Sequence, residues 1–210
     1  ELNTVDGIDW IRVHYAHPAH LSQRIIDSIA ESEKVCNYLD MPIQHAVDAI
    51  LKSMKRGLNQ KGIRDRINRL RESVPEIALR TTLIVGYPGE TEEKFQELKQ
   101  WVQDTKFDRL GVFTYSHEDN TSAFDLKDDV PDDVKKVRAE EIMDLQTHIS
   151  WELNQKKIGE MFKVLFDRKE GDYFIGRTEF DSPDVDNEVL VKAANTYIRI
   201  GDFANVLVEK

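Results

Sequence analysis

Two polar residues twelve positions apart, Gln44 and Arg56, bracket the stretch MPIQHAVDAILKSMKRG. An amide can bond hydroxyls, and a guanidinium offers a planar fork of donors suited to a carboxylate. If the helix between them follows a parallel strand, Gln44 faces the side of the sheet where α/β proteins hold ligands. The plain alternative makes Arg56 a helix-end cation meeting the macrodipole. A second candidate is TTLIVGYPGET. Thr82 and Ile84 alternate with Leu83 and Val85 and so share a face, and Gly86 lets backbone approach whatever sits at the strand end. The same residues also fit a core strand followed by a tight turn. No phosphate loop is present: there is no Gly-Lys-Ser/Thr, and Glu90, Glu92 and Glu93 would repel an anion.

HYAHPAH sets His14, His17 and His20 at a spacing of three. No carboxylate or cysteine joins them at ligand spacing, so a loop at a pocket mouth fits better than a metal site. His45 and His117 also follow strands and could reach the same face, although each alone reads as a polar loop residue. His14, His17 and His45 are the candidates to face a substrate. Cys36 is the one cysteine, and its apolar neighbours suggest a small buried side chain. It leaves no disulfide framework and no cysteine-based metal site within these residues.

The elements that must position these groups are legible as patterns. WIRVHY, VCNYLDMP, IALRTTLIVGYP and FDRLGVFTYS read as strands, the third nearly continuous in apolar residues, as strands covered on both faces are. LSQRIIDSIAES, AVDAILKSMKRG and IRDRINRLRESV carry helical stripes, with Gly57 a stop for the second. TEEKFQELKQWVQDT has Thr91 at its N-cap and acidic residues in its first turn. Alternation with short connections predicts βα units and a parallel sheet, open or curved into part of a TIM-like barrel. HEDNTSAFDLKDDVPDD is an acidic loop. A long helix follows, with Pro131 near its start and Gly159 at its end. MFKVLFD, YFIGRT, EVLVKA and YIRIGDFANVLVE then predict a small all-β barrel. The expected division is a barrel part over 1–130, a linking helix over 131–159 and the β module over 160–210.

Bulk charge narrows the partners. The chain has a formal net charge of −10 over 210 residues, the opposite of a nucleic-acid binder's basic footprint. Solubility explains that, and so does a basic partner. The terminal module holds seven basic and eleven acidic residues, with EFDSPDVDNE its most acidic stretch. The segment from Lys52 to Arg71 holds eight basic residues, with Asp65 among them and Glu72 directly after, which makes RNA contact conceivable and a solvated outer face the default. No apolar run reaches membrane-spanning length. ELNTVDGIDW lacks the layout of a signal peptide and does not begin with Met. A cytoplasmic piece of a longer protein is therefore expected.

YLDMPIQHAVDAILKSMKRG, LRTTLIVGYPGET, FDRLGVFTYSHEDNT and GRTEFDSPDVDNEVLV together resemble the radical S-adenosylmethionine (SAM) methylthiotransferases, over nearly the whole chain and in order. The resemblance implies that residues 1 to about 130 are later βα units of a radical SAM barrel and that the tail is a TRAM domain. It implies that Gln44 and Arg56 hold the ribose and carboxylate of SAM, with Thr82, Ile84 and Gly86 on the next strand beside the ribose and adenine. The activity implied is addition of a methylthio group to the β-carbon of an aspartate in a small-subunit ribosomal protein, by way of iron–sulfur clusters. Ser-Pro-Asp-Val-Asp favours that branch over the transfer-RNA-modifying one; a protein- or RNA-binding module without chemistry is the remaining alternative. The family's Cys-x-x-x-Cys-x-x-Cys motif is absent from these residues, so alone they are expected to bind no cluster and to be inactive.

Overall fold

The structure, a computed structural model, describes residues 1–194 and 197–210. Four strands, β1 (Ile11–Val13), β2 (Val35–Asp40), β3 (Ala78–Val85) and β4 (Arg109–Thr114), form a parallel sheet in the order β1-β2-β3-β4. Between them lie α1 (Gln23–Glu31), α2 (Asp48–Ser53), α3 (Gln60–Ser73) and α4 (Glu92–Thr105). The helix starts have local causes: Ser22, Asn59 and Thr91 each accept a backbone N–H of the first turn, at 3.4, 2.9 and 3.4 Å. Such caps are each worth about 1 kcal/mol. The helix predicted to run to Gly57 ends at Ser53, because Lys55 and Gly57 both adopt left-handed backbone (φ 56° and 76°).

The two faces of this sheet differ. Leu39, Leu79, Leu83, Val85 and Leu110 turn toward the helices and pack with Ile26, Ile67, Leu70, Phe95 and Trp101. The opposite face carries Cys36, Tyr38 and Ala78. Register carries that face across the sheet: Arg80 pairs with Arg109, Thr82 with Gly111 and Ile84 with Phe113. The alternation in β3 is thus a division between a covered side and an open one.

Helix α5 (Asp132–Gln155) packs beside β4 and leads to a curled antiparallel sheet of β5 (Met161–Glu170), β6 (Tyr173–Thr178), β7 (Val189–Lys192) and β8 (Phe203–Leu207), in the order β7-β6-β5-β8. Val164, Phe166 and Phe174 form its core. Gly176 is required there, because a Cβ would strike the Leu165 carbonyl on the paired strand. Part of the acidic stretch of this module turns inward. Asp181 and Asp186 are buried against Arg109 and Arg80 of the parallel sheet.

Candidate functional site

Beyond the carboxyl end of β2 the chain does not leave the sheet. Gln44 N–H donates to the Thr82 carbonyl at 2.9 Å, and Ile84 N–H donates to the Gln44 carbonyl at 2.8 Å. Gln44 holds left-handed backbone (φ 71°) to make this single bridge alongside β3. After α2, the left-handed turn at Lys55 brings Arg56 back, and its Nη2 donates to the Pro42 carbonyl at 2.7 Å. Burial pushes the Arg56 guanidinium below its ordinary pKa.

Gln44, Arg56, Thr82 and Ile84 line one cavity of about 590 Å³. That size suits a nucleoside-sized ligand. The rest of the wall was not singled out from the sequence: Tyr15, Met54, Tyr87, Phe113, Tyr115 and the loop at Thr121–Ala123. Tyr15 and Phe113 are 78% and 64% exposed, large apolar groups left at the rim. Tyr87 and Tyr115 meet edge to face with centroids 5.2 Å apart, and Tyr115 Oη bonds the Ala123 carbonyl at 3.4 Å. Alternation within FDRLGVFTYS was the available signal for Phe113, and the register that sets it beside Ile84 appears only in the structure. For the loop there was none.

The other candidates lie elsewhere. Gly86 (φ 73°) is outside the lining: the space a Cβ would need is filled by Lys135 of α5, and its N–H donates to Glu90 Oε1 at 2.8 Å. His14 is exposed on the open face, its ring edge-on to Tyr38 at 5.8 Å. His17 caps a short 3-10 turn, its Nδ1 accepting from Ala19 N–H at 3.2 Å. Burial, with Arg56 and His20 adding, lowers its pKa and keeps that nitrogen an acceptor.

His45, expected to face a substrate, is fully buried instead. Its Nδ1 accepts from Val47 N–H at 3.0 Å, which leaves Nε2–H to meet Glu90 Oε2 at 3.0 Å. Glu90 also takes Arg138 Nη1 of α5 at 2.8 Å. One buried carboxylate thus ties the end of β2, the end of β3 and α5 together. Alternation does send the residue after Gln44 to the opposite side of the chain, but the Glu90 and Arg138 that enclose it come from distant elements.

Asp40 and Tyr38 lie below the cavity on the open face. Burial raises both groups above their ordinary pKa values, and Asp40 Oδ1 has no hydrogen-bond partner among the described residues. Cys36, as expected, is buried, and burial raises its thiol. A protonated, enclosed thiol is a poor cluster ligand. The described residues hold no group of three or more His, Cys, Asp or Glu arranged for a metal. Cys36 therefore does not fit the role of a cluster ligand. No helix among the described residues is long and apolar enough to cross a membrane.

A parallel βα sheet with its cavity past the strand ends, followed by a curled β module, defines a class. Residues 2–102 match the family model of the Radical SAM superfamily, and residues 158–210 match that of the TRAM domain. The barrel part thus matches the radical SAM superfamily over just under half of the chain, and a TRAM domain follows it. Among similar curated proteins is the ribosomal protein uS12 methylthiotransferase RimO of Christiangramia forsetii, 58% identical over 202 residues, which are 96% of this chain and 45% of that protein. The protein of the same name from Flavobacterium johnsoniae is 56% identical over 205 residues, 98% of this chain and 47% of its own length. The chain spans about half the length of the curated relatives it matches. Among solved structures, coproporphyrinogen III oxidase (HemN) of Escherichia coli, described as a radical SAM enzyme, aligns with a TM-score of 0.52 at 24% identity, over 70% of this chain and 32% of its own. That likeness shows the fold alone.

Proposed function

We propose that this chain is the cofactor-gripping barrel part and TRAM domain of a radical SAM methylthiotransferase that modifies an aspartate of ribosomal protein uS12. One observation supports it above the others: the four side chains expected to hold SAM line a single cavity of suitable size. Arg56 has one nitrogen on Pro42, which leaves the outer part of its fork for the cofactor's carboxylate. The Gln44 amide meets the ribose, and Thr82 and Ile84 lie beside ribose and adenine. Phe113 and Tyr15 exclude water from the mouth once a ligand is seated. When bound, SAM supplies the radical-generating adenosyl group, and this chain's part is binding, orientation and exclusion of water. Cluster chemistry is assigned to other residues of the whole protein, so the 210 residues alone are inactive.

A basic protein substrate is favoured over nucleic acid by the rim. The loop that supplies Thr121–Ala123 to the cavity lies in a segment, 117–133, with seven acidic residues and one lysine. Long-range attraction would draw a basic polypeptide there and repel phosphates. The domain limits proposed are 1–130, 131–159 and 160–210, in a cytoplasmic protein.

The test uses the full-length protein with uS12 and, separately, transfer RNA, read by the mass of an added methylthio group. Modification of uS12 is expected; modification of RNA alone overturns the reading. Arg56→Ala in the same protein should weaken SAM binding about ten- to a hundredfold, the loss of a charge-assisted pair. Unchanged affinity by calorimetry would remove Arg56 from the site.

A further inference from the structure

Below the cavity, the open face carries three arginines on three strands: Arg12 of β1, Arg80 of β3 and Arg109 of β4. Such a row on a sheet is an anion-binding surface in the making, since each guanidinium presents a fork that fits phosphate as well as carboxylate. In this structure the row is occupied by the chain itself. The segment from Thr178 to Asp186, between β6 and β7, lies across it. Arg12 Nη1 donates to the Glu179 carbonyl at 2.7 Å, and Glu179 Oε2 accepts the Asn37 N–H at 2.9 Å. Arg109 Nη2 meets Asp181 Oδ1 at 2.5 Å, and Arg80 Nη1 is paired with Asp186 Oδ1.

The loop is built to present these carboxylates. Asp181 accepts the Thr178 hydroxyl at 2.5 Å, and Asp186 Oδ2 accepts the Ser182 N–H at 2.9 Å. Phe180 packs against Cys36, Tyr38 and Ala78 and anchors the loop in the apolar patch of the same face. Both carboxylates are almost wholly withdrawn from water, with side chains 4% and 0% exposed. Carboxylates so placed demand cationic partners. Three of the five acids in the most acidic stretch of the terminal module, Glu179, Asp181 and Asp186, are therefore engaged inside the molecule, while Asp184 and Glu188 stay exposed.

We propose that the Glu179–Asp186 loop is an internal anion that masks a phosphate-competent arginine row, so that docking of the TRAM domain and polyanion binding on the open face exclude each other. This inference goes beyond the function proposed above and stands whether or not that function holds. A phosphate backbone reaching the row must first displace two buried carboxylates and Phe180. The three acids of this loop then act within the molecule, and the loop closes the lower half of the face to nucleic acid.

The test is an Asp181→Asn/Asp186→Asn variant of the intact protein, probed with a short oligothymidylate at low salt and by amide hydrogen exchange. Affinity for the oligonucleotide should rise by about tenfold and fall steeply as salt is added. Exchange should quicken in 35–40 and 178–186 while 92–105 keeps its protection. Adding Arg80→Gln and Arg109→Gln should abolish the gain. No gain in affinity, or a gain that survives loss of the arginines, overturns the proposal. If protection in 92–105 is lost, the double variant has unfolded, and Asp181→Asn alone decides: a smaller gain, also abolished by Arg109→Gln, supports the mask, and no gain refutes it.

Discussion

Arg56 gives one nitrogen to the Pro42 carbonyl and lines a cavity of about 590 Å³, while Arg109 gives Nη1 to the Asp108 carbonyl at 2.7 Å and Nη2 to Asp181 at 2.5 Å. Similar residues thus serve opposite ends on the two halves of one region. Above, beyond the strand ends, polar groups are arranged around a space. Below, they are arranged around each other, with Arg109 only 7% exposed. A row of cations on a sheet thus says little about ligands until its partners are counted. A paired cation holds the fold for as long as its partner stays, whereas a group turned toward a void is open to a ligand.

Three substitutions sharpen or break that contrast. The largest effect is expected from Arg109→Ala, which leaves the Asp181 carboxylate buried without its cation. Removing one partner of such a pair costs about 3–5 kcal/mol. Denaturant unfolding should show this as a large loss of stability, with SAM affinity of the surviving native protein little changed. A near-neutral result would mean that the lower half is no more committed than the upper. Next comes Thr82→Val in the cavity wall, which keeps the shape and removes the hydroxyl. SAM affinity should fall by about 1 kcal/mol, roughly fivefold, at nearly constant stability. If melting shifts and binding does not, Thr82 belongs to the architecture instead.

The smallest effect concerns Asp40, on the boundary between the halves. Burial raises its carboxyl above the ordinary range, with Arg80 and His14 opposing. A folded pKa above the unfolded one means that folding takes up a proton. The stabilisation is complete below the ordinary carboxylate pKa and is lost as pH rises through the raised folded value. Asp40→Asn should remove that slope, so that the variant gains on the parent from acid toward neutral pH. Parallel curves of melting temperature against pH for the two proteins would show that Asp40 ionises without penalty.

Much of this was legible because it is local. The alternation of Leu83 and Val85 with Thr82 and Ile84 placed two residues on the open face, and the structure brings them to the cavity with Gln44 and Arg56. The capping residues Ser22, Asn59 and Thr91 stand where the side-chain chemistry requires them. What the sequence could not show is long-range. Glu179 reaches the Asn37 amide across 142 positions, and nothing near either residue advertises the other. His45 was misplaced because its burial depends on Glu90 and Arg138, which arrive from two other elements. Tyr15 was passed over beside its histidine neighbours; only its left-handed backbone, φ 63°, puts its ring at the rim.

Helix α5 is a rod of 24 residues, roughly 36 Å at 1.5 Å per residue. Near its start Lys135 fills the hollow at Gly86 and Arg138 grips Glu90; near its end Gln146 and Ser150 bond the Phe107 and Asp108 carbonyls. Inserting one amino acid between those anchors would rotate one end against the other by about 100°. Both sets of anchors sit on the parallel-sheet part, so the helix can change length between them only by numbers of residues close to whole turns.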